Sequence, residues 1–91
     1  MLELTAIAHG YVQGVFFRRT VFQHASAFGL AGTVRNLPDG TVEIVAQGDE
    51  QTLKAFLEAL RANPGSARLL KLETRYSAPK RRHSGFEILY R

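Results

Sequence analysis

Leu2-Glu3-Leu4-Thr5-Ala6-Ile7-Ala8-His9-Gly10-Tyr11-Val12-Gln13-Gly14-Val15-Phe16-Phe17-Arg18 is the stretch whose reading decides the fold. Leu2, Leu4, Ala6 and Ala8 alternate with Glu3, Thr5, Ile7 and His9, the period-two pattern of a strand with one face on a core. From Arg18 to Phe28 the apolar residues Val21, Ala25 and Phe28 recur at helical spacing, with Phe22 beside them. Gly29 then stands where a helix C′ glycine belongs. The residues between are a strand-to-helix turn, in which Gly10 and Gly14 are expected to let the backbone turn tightly and approach a ligand with no Cβ in the way. The first amides of a helix lack partners within it, and the helix dipole makes that end partially positive. A cradle of N–H groups with the Arg18 guanidinium at its rim suits a phosphate or similar oxyanion. Most glycine-containing turns bind nothing, however. Neither GxGxxG nor GxxxxGK[ST] is present, so nucleotide binding loses its usual support.

Downstream, Leu30 to Asn36 and Thr41 to Gln47 read as two strands joined by Leu37-Pro38-Asp39-Gly40, a turn by its chemistry. Asp49 is the expected N-cap of a second helix, whose Leu53, Phe56, Leu57 and Leu60 form one apolar stripe before Asn63-Pro64-Gly65 stops it. Ala67 to Tyr76 is a fourth extended run and Ser77 to Gly85 a polar, basic loop. Phe86, Ile88 and Tyr90 alternate in a short last run, either an added strand or the end of the fourth. The order βαββαβ predicts an α+β fold, a ferredoxin-like α/β sandwich with two helices packed on one face of an antiparallel sheet. The other sheet face is left to solvent or a partner.

The 91 residues fit one domain, 1–91, with ordinary hydrophobic (45%) and charged (22%) content. There is no cysteine, no run long enough to span a membrane and no charged-then-apolar leader, so a cytoplasmic location is expected, with no membrane partner. The net charge of +4 favours anionic partners. Part of the excess lies in Lys80-Arg81-Arg82-His83, expected to be a solvated loop, too short and too poor in aromatics to argue for nucleic-acid binding.

Among side chains that could do chemistry, Arg18 offers a fork of donors that matches two phosphate oxygens and that lysine cannot copy. Its place in a first helical turn is unfavourable unless an anion sits there. Arg19 is expected to face solvent or a surface carboxylate, and Arg35 to be a surface charge. Asn36, at the end of its strand, is either an Asx-turn residue or an amide that holds water through donor and acceptor. His9, His24 and His83 have no metal spacing, although His9 lies near the loop and is a minor candidate for a general base. Asp39 and Glu43 are explained by the turn and an exposed strand face. Without paired carboxylates or a nucleophile set, chemistry must rest on positioning and electrostatics.

Two segments resemble the acylphosphatase family. Gly10-Tyr11-Val12-Gln13-Gly14-Val15-Phe16-Phe17-Arg18 looks like its active-site loop, usually G-[RK]-V-Q-G-V-x-[FY]-R. Gly29-Leu30-Ala31-Gly32-Thr33-Val34-Arg35-Asn36, followed by Asp39-Gly40-Thr41-Val42, looks like its G-L-x-G-x-V-x-N and downstream D-G-x-V. The resemblance implies a small, metal-free enzyme without cofactor that hydrolyses the carboxyl–phosphate anhydride of acyl phosphates. It implies that Gln13, Gly14, Val15, Phe16, Phe17 and Arg18 bind the phosphoryl group and that Asn36 holds the attacking water. Tyr11 replaces the usual basic residue, Thr33 a frequent aromatic, and Tyr90-Arg91 runs slightly past a common C-terminal ending near the site. The rival readings are a non-catalytic anion-binding regulatory domain and an RNA-binding module of the same fold. The RNA module stacks bases on aromatics of its central strands, and Leu2 to Ala8 and Thr41 to Gln47 contain none. The hydrogenase-maturation module that handles carbamoyl phosphate normally heads a longer, cysteine-rich chain. A stand-alone, monomeric enzyme is expected.

Overall fold

The computed structural model describes residues 1–90, and Arg91 lies outside the described residues. The elements are β1 (Leu2–Tyr11), α1 (Phe17–Ala27), β2 (Ala31–Asn36), β3 (Val42–Gly48), α2 (Glu50–Ala62), β4 (Arg68–Ser77) and β5 (Phe86–Leu89). They build one sheet in the order β4-β1-β3-β2-β5. The first four strands pair antiparallel, as the ferredoxin-like reading requires, with Leu4 opposite both Ala46 and Tyr76 and Val34 opposite Ile44. The expectation of a wholly antiparallel sheet is corrected at its last strand. β5 is an added strand that lies parallel to β2, with Val34 opposite Ile88.

The path of the chain explains the parallel strand. β4 ends where β1 begins, since Glu3 pairs with Ser77, so residues 78–85 must travel along that end of the sheet to reach the β2 edge. They enter β5 in the direction of β2, and the Gly85 carbonyl accepts a hydrogen bond from the Gly32 N–H at 2.9 Å. Gln47, only 3% exposed, fastens this crossing. Its Nε2 donates to the Arg81 carbonyl at 2.6 Å and to Glu3 Oε1 at 2.9 Å, and its Oε1 accepts from the His83 N–H at 2.9 Å. The Lys80 to His83 run keeps its arginine and lysine side chains exposed, but its backbone is tied to the sheet.

The alternating residues meet the helices on one face. Leu4, Ala6, Ala8, Val34, Val42, Ile44 and Ala46 are fully buried. Phe17, Val21 and Ala25 of α1 and Leu53, Phe56, Leu57 and Leu60 of α2 cover them. The Asp49 carboxylate accepts from the Thr52 N–H at 2.8 Å, the expected cap. At the end of α1, Gly29 (φ +68°) donates to the Ser26 carbonyl and Leu30 to the Ala25 carbonyl, which is the Schellman arrangement. On the opposite face polar side chains pair across strands, Arg35 Nε with Glu43 at 2.8 Å and His9 Nε2 with Glu73 at 2.5 Å. The His9 hydrogen bond, then Lys71, hold the Glu73 carboxyl below its ordinary range. Thr33 also lies on this open face, beside Val45 and Glu87, so its size leaves the core untouched.

Gly10 has a different task from the one expected. It is still inside β1, at an irregularity in the pairing with β4, with φ +131°. A Cβ there would stand 2.2 Å from the Arg68 carbonyl oxygen, so Gly10 admits the neighbouring strand and no ligand. Gly10→Ala is therefore expected to lower unfolding free energy in urea by at least about 2 kcal/mol, combining left-handed strain with the collision. Gly85→Ala, where a Cβ meets nothing within 4 Å, should stay within about 0.5 kcal/mol of the parent.

Candidate active site

The ends of β1, β2 and β5 and the start of α1 converge at one end of the sheet. Between β1 and α1, Val12 is buried, Val15 packs on the core, and Phe17 is buried as the first residue of α1. These three inward anchors leave Gln13, Gly14 and Phe16 on the outside. Gly14 has φ +74° and Phe16, unusually for a residue with a side chain, φ +59° and ψ +25°. A bulky residue held in the left-handed region is strained by about 1–3 kcal/mol and marks a shape that the surroundings enforce. The helix starts one residue before its sequence pattern indicated, which makes Arg18 its second residue.

The Gln13 side chain does what its exposed position in the loop does not suggest. Its Nε2 donates to the Leu37 carbonyl at 2.9 Å and to the Thr41 carbonyl at 2.8 Å, stitching the loop to the β2–β3 turn. That turn is itself closed by the Leu37 N–H on the Thr41 carbonyl and by Asp39, whose Oδ1 accepts from the Thr41 N–H at 3.0 Å and Oγ1 at 2.6 Å. Nothing in the sequence spacing marked Gln13 as a cross-link.

The entrance to α1 is open to an anion. Phe16 offers no capping side chain and the first turn holds no acidic residue. No turn, cap or side-chain hydrogen bond among the described residues uses the amides of residues 13–16. Arg18 lies beside them, half-buried. Its Nη1 donates to the Leu89 carbonyl at 2.7 Å, and its guanidinium sits 4.6 Å from the centre of the Tyr90 ring. One donor of five is thus spent on holding the fork in place, and the ring face stabilises the cation. The sequence itself indicates only a general bearing of Tyr90-Arg91 on the site. Arg91 itself lies outside the described residues.

Asn36 completes the group. It is the last residue of β2, and its Oδ1 is buried with no partner among the described residues. The Asx-turn alternative is thereby corrected, since Asp39 performs that task. Val12, Gly14, Phe16, Phe17, Arg18 and Asn36 line one cleft of about 190 Å³. Of the expected phosphate-binding residues, Gly14, Phe16, Phe17 and Arg18 line that cleft, whereas Gln13 and Val15 do not. Tyr11 is 69% exposed, opposite Arg68 on β4, and Arg19 is exposed on α1. His9 is engaged by Glu73 on the open sheet face and does not line the cleft.

The acylphosphatase family model matches residues 4–88. The acylphosphatase of Deinococcus radiodurans is 45% identical over 76 residues, 84% of this chain and 87% of that one. The crystal structure of acylphosphatase from Bacillus subtilis has a TM-score of 0.93 and 38% identity, covering 99% of this chain and 100% of that one. T. kodakarensis HypF is similar to it over a part: the TM-score is 0.89 and the identity 32%, across 100% of this chain and 12% of HypF. This chain belongs to the acylphosphatase family.

The Thr41 hydroxyl and N–H, in that order, hold the Asp39 carboxyl below its ordinary value of 3.8. The folded protein therefore binds that proton more weakly than the unfolded chain, so the bond's contribution is complete above pH 3.8 and fades as pH falls through the lower folded value. The stability deficit of Asp39→Asn relative to the parent, read from urea unfolding, should shrink below that pH. Gln13→Ala should cost roughly 1–2 kcal/mol at neutral pH, on the scale of two net hydrogen bonds.

Proposed function

We propose that this chain is an acylphosphatase that hydrolyses the carboxyl–phosphate anhydride of acyl phosphates to a carboxylate and inorganic phosphate, and that the cleft of Arg18 and Asn36 is where it does so. The amides of residues 13–17 and the Arg18 fork receive the phosphoryl group, whose equatorial oxygens carry the charge of a loose transition state. The attacking water donates one hydrogen bond to Asn36 Oδ1, which fixes its oxygen in line with phosphorus and removes entropy from the step. Its oxygen bonds to phosphorus, the bond from phosphorus to the acyl oxygen breaks, and the carboxylate leaves with the electron pair. The substrate's own phosphate accepts the water's proton. A carboxylate is a good leaving group, so no general acid is required, and no metal or cofactor is invoked.

The observation that carries this reading is the buried, unpartnered Oδ1 of Asn36 in the same cleft as Arg18. An acceptor facing an anion would repel it, and a pure anion sensor has no use for one. A hydrolase does, because water brings a hydrogen to donate. The regulatory-domain alternative lacks a comparable feature. Family membership and the match over residues 4–88 support the same reaction. Among the described residues no helix is long and apolar enough to cross a membrane. The absence of cysteine fits a reducing compartment such as the cytoplasm, and the reaction takes a small-molecule substrate.

The test is hydrolysis of benzoyl phosphate in excess chelator. Arg18→Ala and Arg18→Lys are expected to lower turnover by roughly 10²-fold or more, the scale of losing one transition-state donor. Asn36→Ala should lower kcat comparably while phosphate affinity persists. Because Asn36 Oδ1 has no protein partner to lose, its unfolding midpoint should barely change. Near-normal turnover in Asn36→Ala would refute the water-positioning role, and a pH–rate profile governed by a group near pKa 6.5 would return a histidine to the mechanism.

A further inference from the structure

The 190 Å³ cleft of Arg18 and Asn36 is the proposed phosphoryl site. A second groove of about 490 Å³ opens beside it, lined by Phe16, Arg18, Arg19, Phe22, Ile88 and Tyr90. The two share Phe16 and Arg18 in their linings, so they adjoin at the residue that is to hold the phosphoryl group. We propose that this groove is the acyl-group subsite and that it selects apolar acyl groups, aromatic ones above all. The inference rests on the acylphosphatase reading and adds the substrate class to it.

Three aromatic rings face this groove, and none is accounted for by the core. Phe16 is 78% and Tyr90 77% exposed, a large apolar surface to leave in water, and Phe22 is 37% exposed. Their placement has separate causes. The left-handed backbone of Phe16 turns its ring outward at the junction of the two clefts. Tyr90 is fixed under the Arg18 guanidinium. Phe22, one helical turn after Arg18, is held by an edge-to-face contact with Phe86 of β5, ring centres 6.4 Å apart. With Ile88 they form an apolar wall and Arg19 a polar rim. A planar acyl group bonded through its carboxyl oxygen to a phosphate over Arg18 would lay its ring along that wall. An acetyl group would reach little of it. Phe22 lines the groove and not the 190 Å³ cleft, and it takes no part in the Tyr90–Arg18 contact, so it reports on the acyl side.

The experiment compares kcat/KM for benzoyl phosphate and acetyl phosphate in the parent protein and in Phe22→Ala. Their intrinsic reactivities differ, but that difference cancels when the benzoyl-to-acetyl ratio is compared between proteins. The ratio is expected to fall roughly 10-fold in Phe22→Ala, through KM for benzoyl phosphate more than through kcat. Phe22→Leu, which keeps apolar bulk against Phe86, should fall less and reads the same ratio if the alanine variant fails to fold. A parent that hydrolyses both substrates, with a ratio unchanged to within about twofold in folded Phe22→Ala, or in Phe22→Leu where the alanine variant does not fold, overturns the subsite and leaves the acylphosphatase reading standing. A parent that hydrolyses neither substrate overturns that reading and the subsite with it.

Discussion

Positive charge accumulated at the start of α1, with no acidic group in the first turn to balance it, is the constraint on which the site depends. The free amides of a helix N-terminus carry partial positive charge, and an arginine in the first turn is disfavoured by about 0.3–1 kcal/mol. Here that turn holds both Arg18 and Arg19, its cap is a phenylalanine, and it contains no acidic residue. Such an arrangement is held by contacts made elsewhere. Phe17 is buried in the core, the Leu89 carbonyl accepts from Arg18, and the Tyr90 ring lies against its guanidinium. The fold keeps charge and amides in place by its own contacts, which is the condition for electrostatic preorganisation.

Each neighbouring element contributes one constraint to that end of the sheet. The hairpin brings Asn36 to the cleft and offers the Leu37 and Thr41 carbonyls, on which Gln13 pins the loop. β5 brings the Leu89 carbonyl, and it reaches the site only because residues 78–85 cross the far end of the sheet under the grip of Gln47. A glutamine at each end of the sheet thus ties together segments that the sequence separates. The far-end crossing and the site are coupled through β5, whose parallel pairing with β2 sets how far Leu89 and Tyr90 project.

Much of this was legible in the residues, and what was not has physical reasons. Local patterns were readable because their causes are local: the alternation of β1 and β3, the Asp49 cap, Gly29 past α1, and the turn at Pro38-Asp39-Gly40. Arg18 and Asn36 stood out by chemical type and by their places at element ends. Gly10 was misread because a glycine spacing does not say whether a ligand or a neighbouring strand fills the space of the missing Cβ. The parallel course of β5 depends on where β4 ends, a fact about the assembled sheet. Gln13 acts through its side chain on carbonyls 24 and 28 residues away, and no periodicity encodes that. Phe22 was read as a neighbour of the helix stripe, yet its ring faces the groove, because β5 supplies a wall that the helix pattern alone does not contain.

The most direct measurement of the central claim is the amide nitrogen and proton shifts of the whole chain as inorganic phosphate is titrated in. The account requires saturable shifts at Gln13, Gly14, Val15, Phe16, Phe17 and Arg18, with the Asn36 side-chain amide moving alongside them. Shifts confined to Lys80 to His83, at the far end of the sheet, with the loop unmoved, would contradict it.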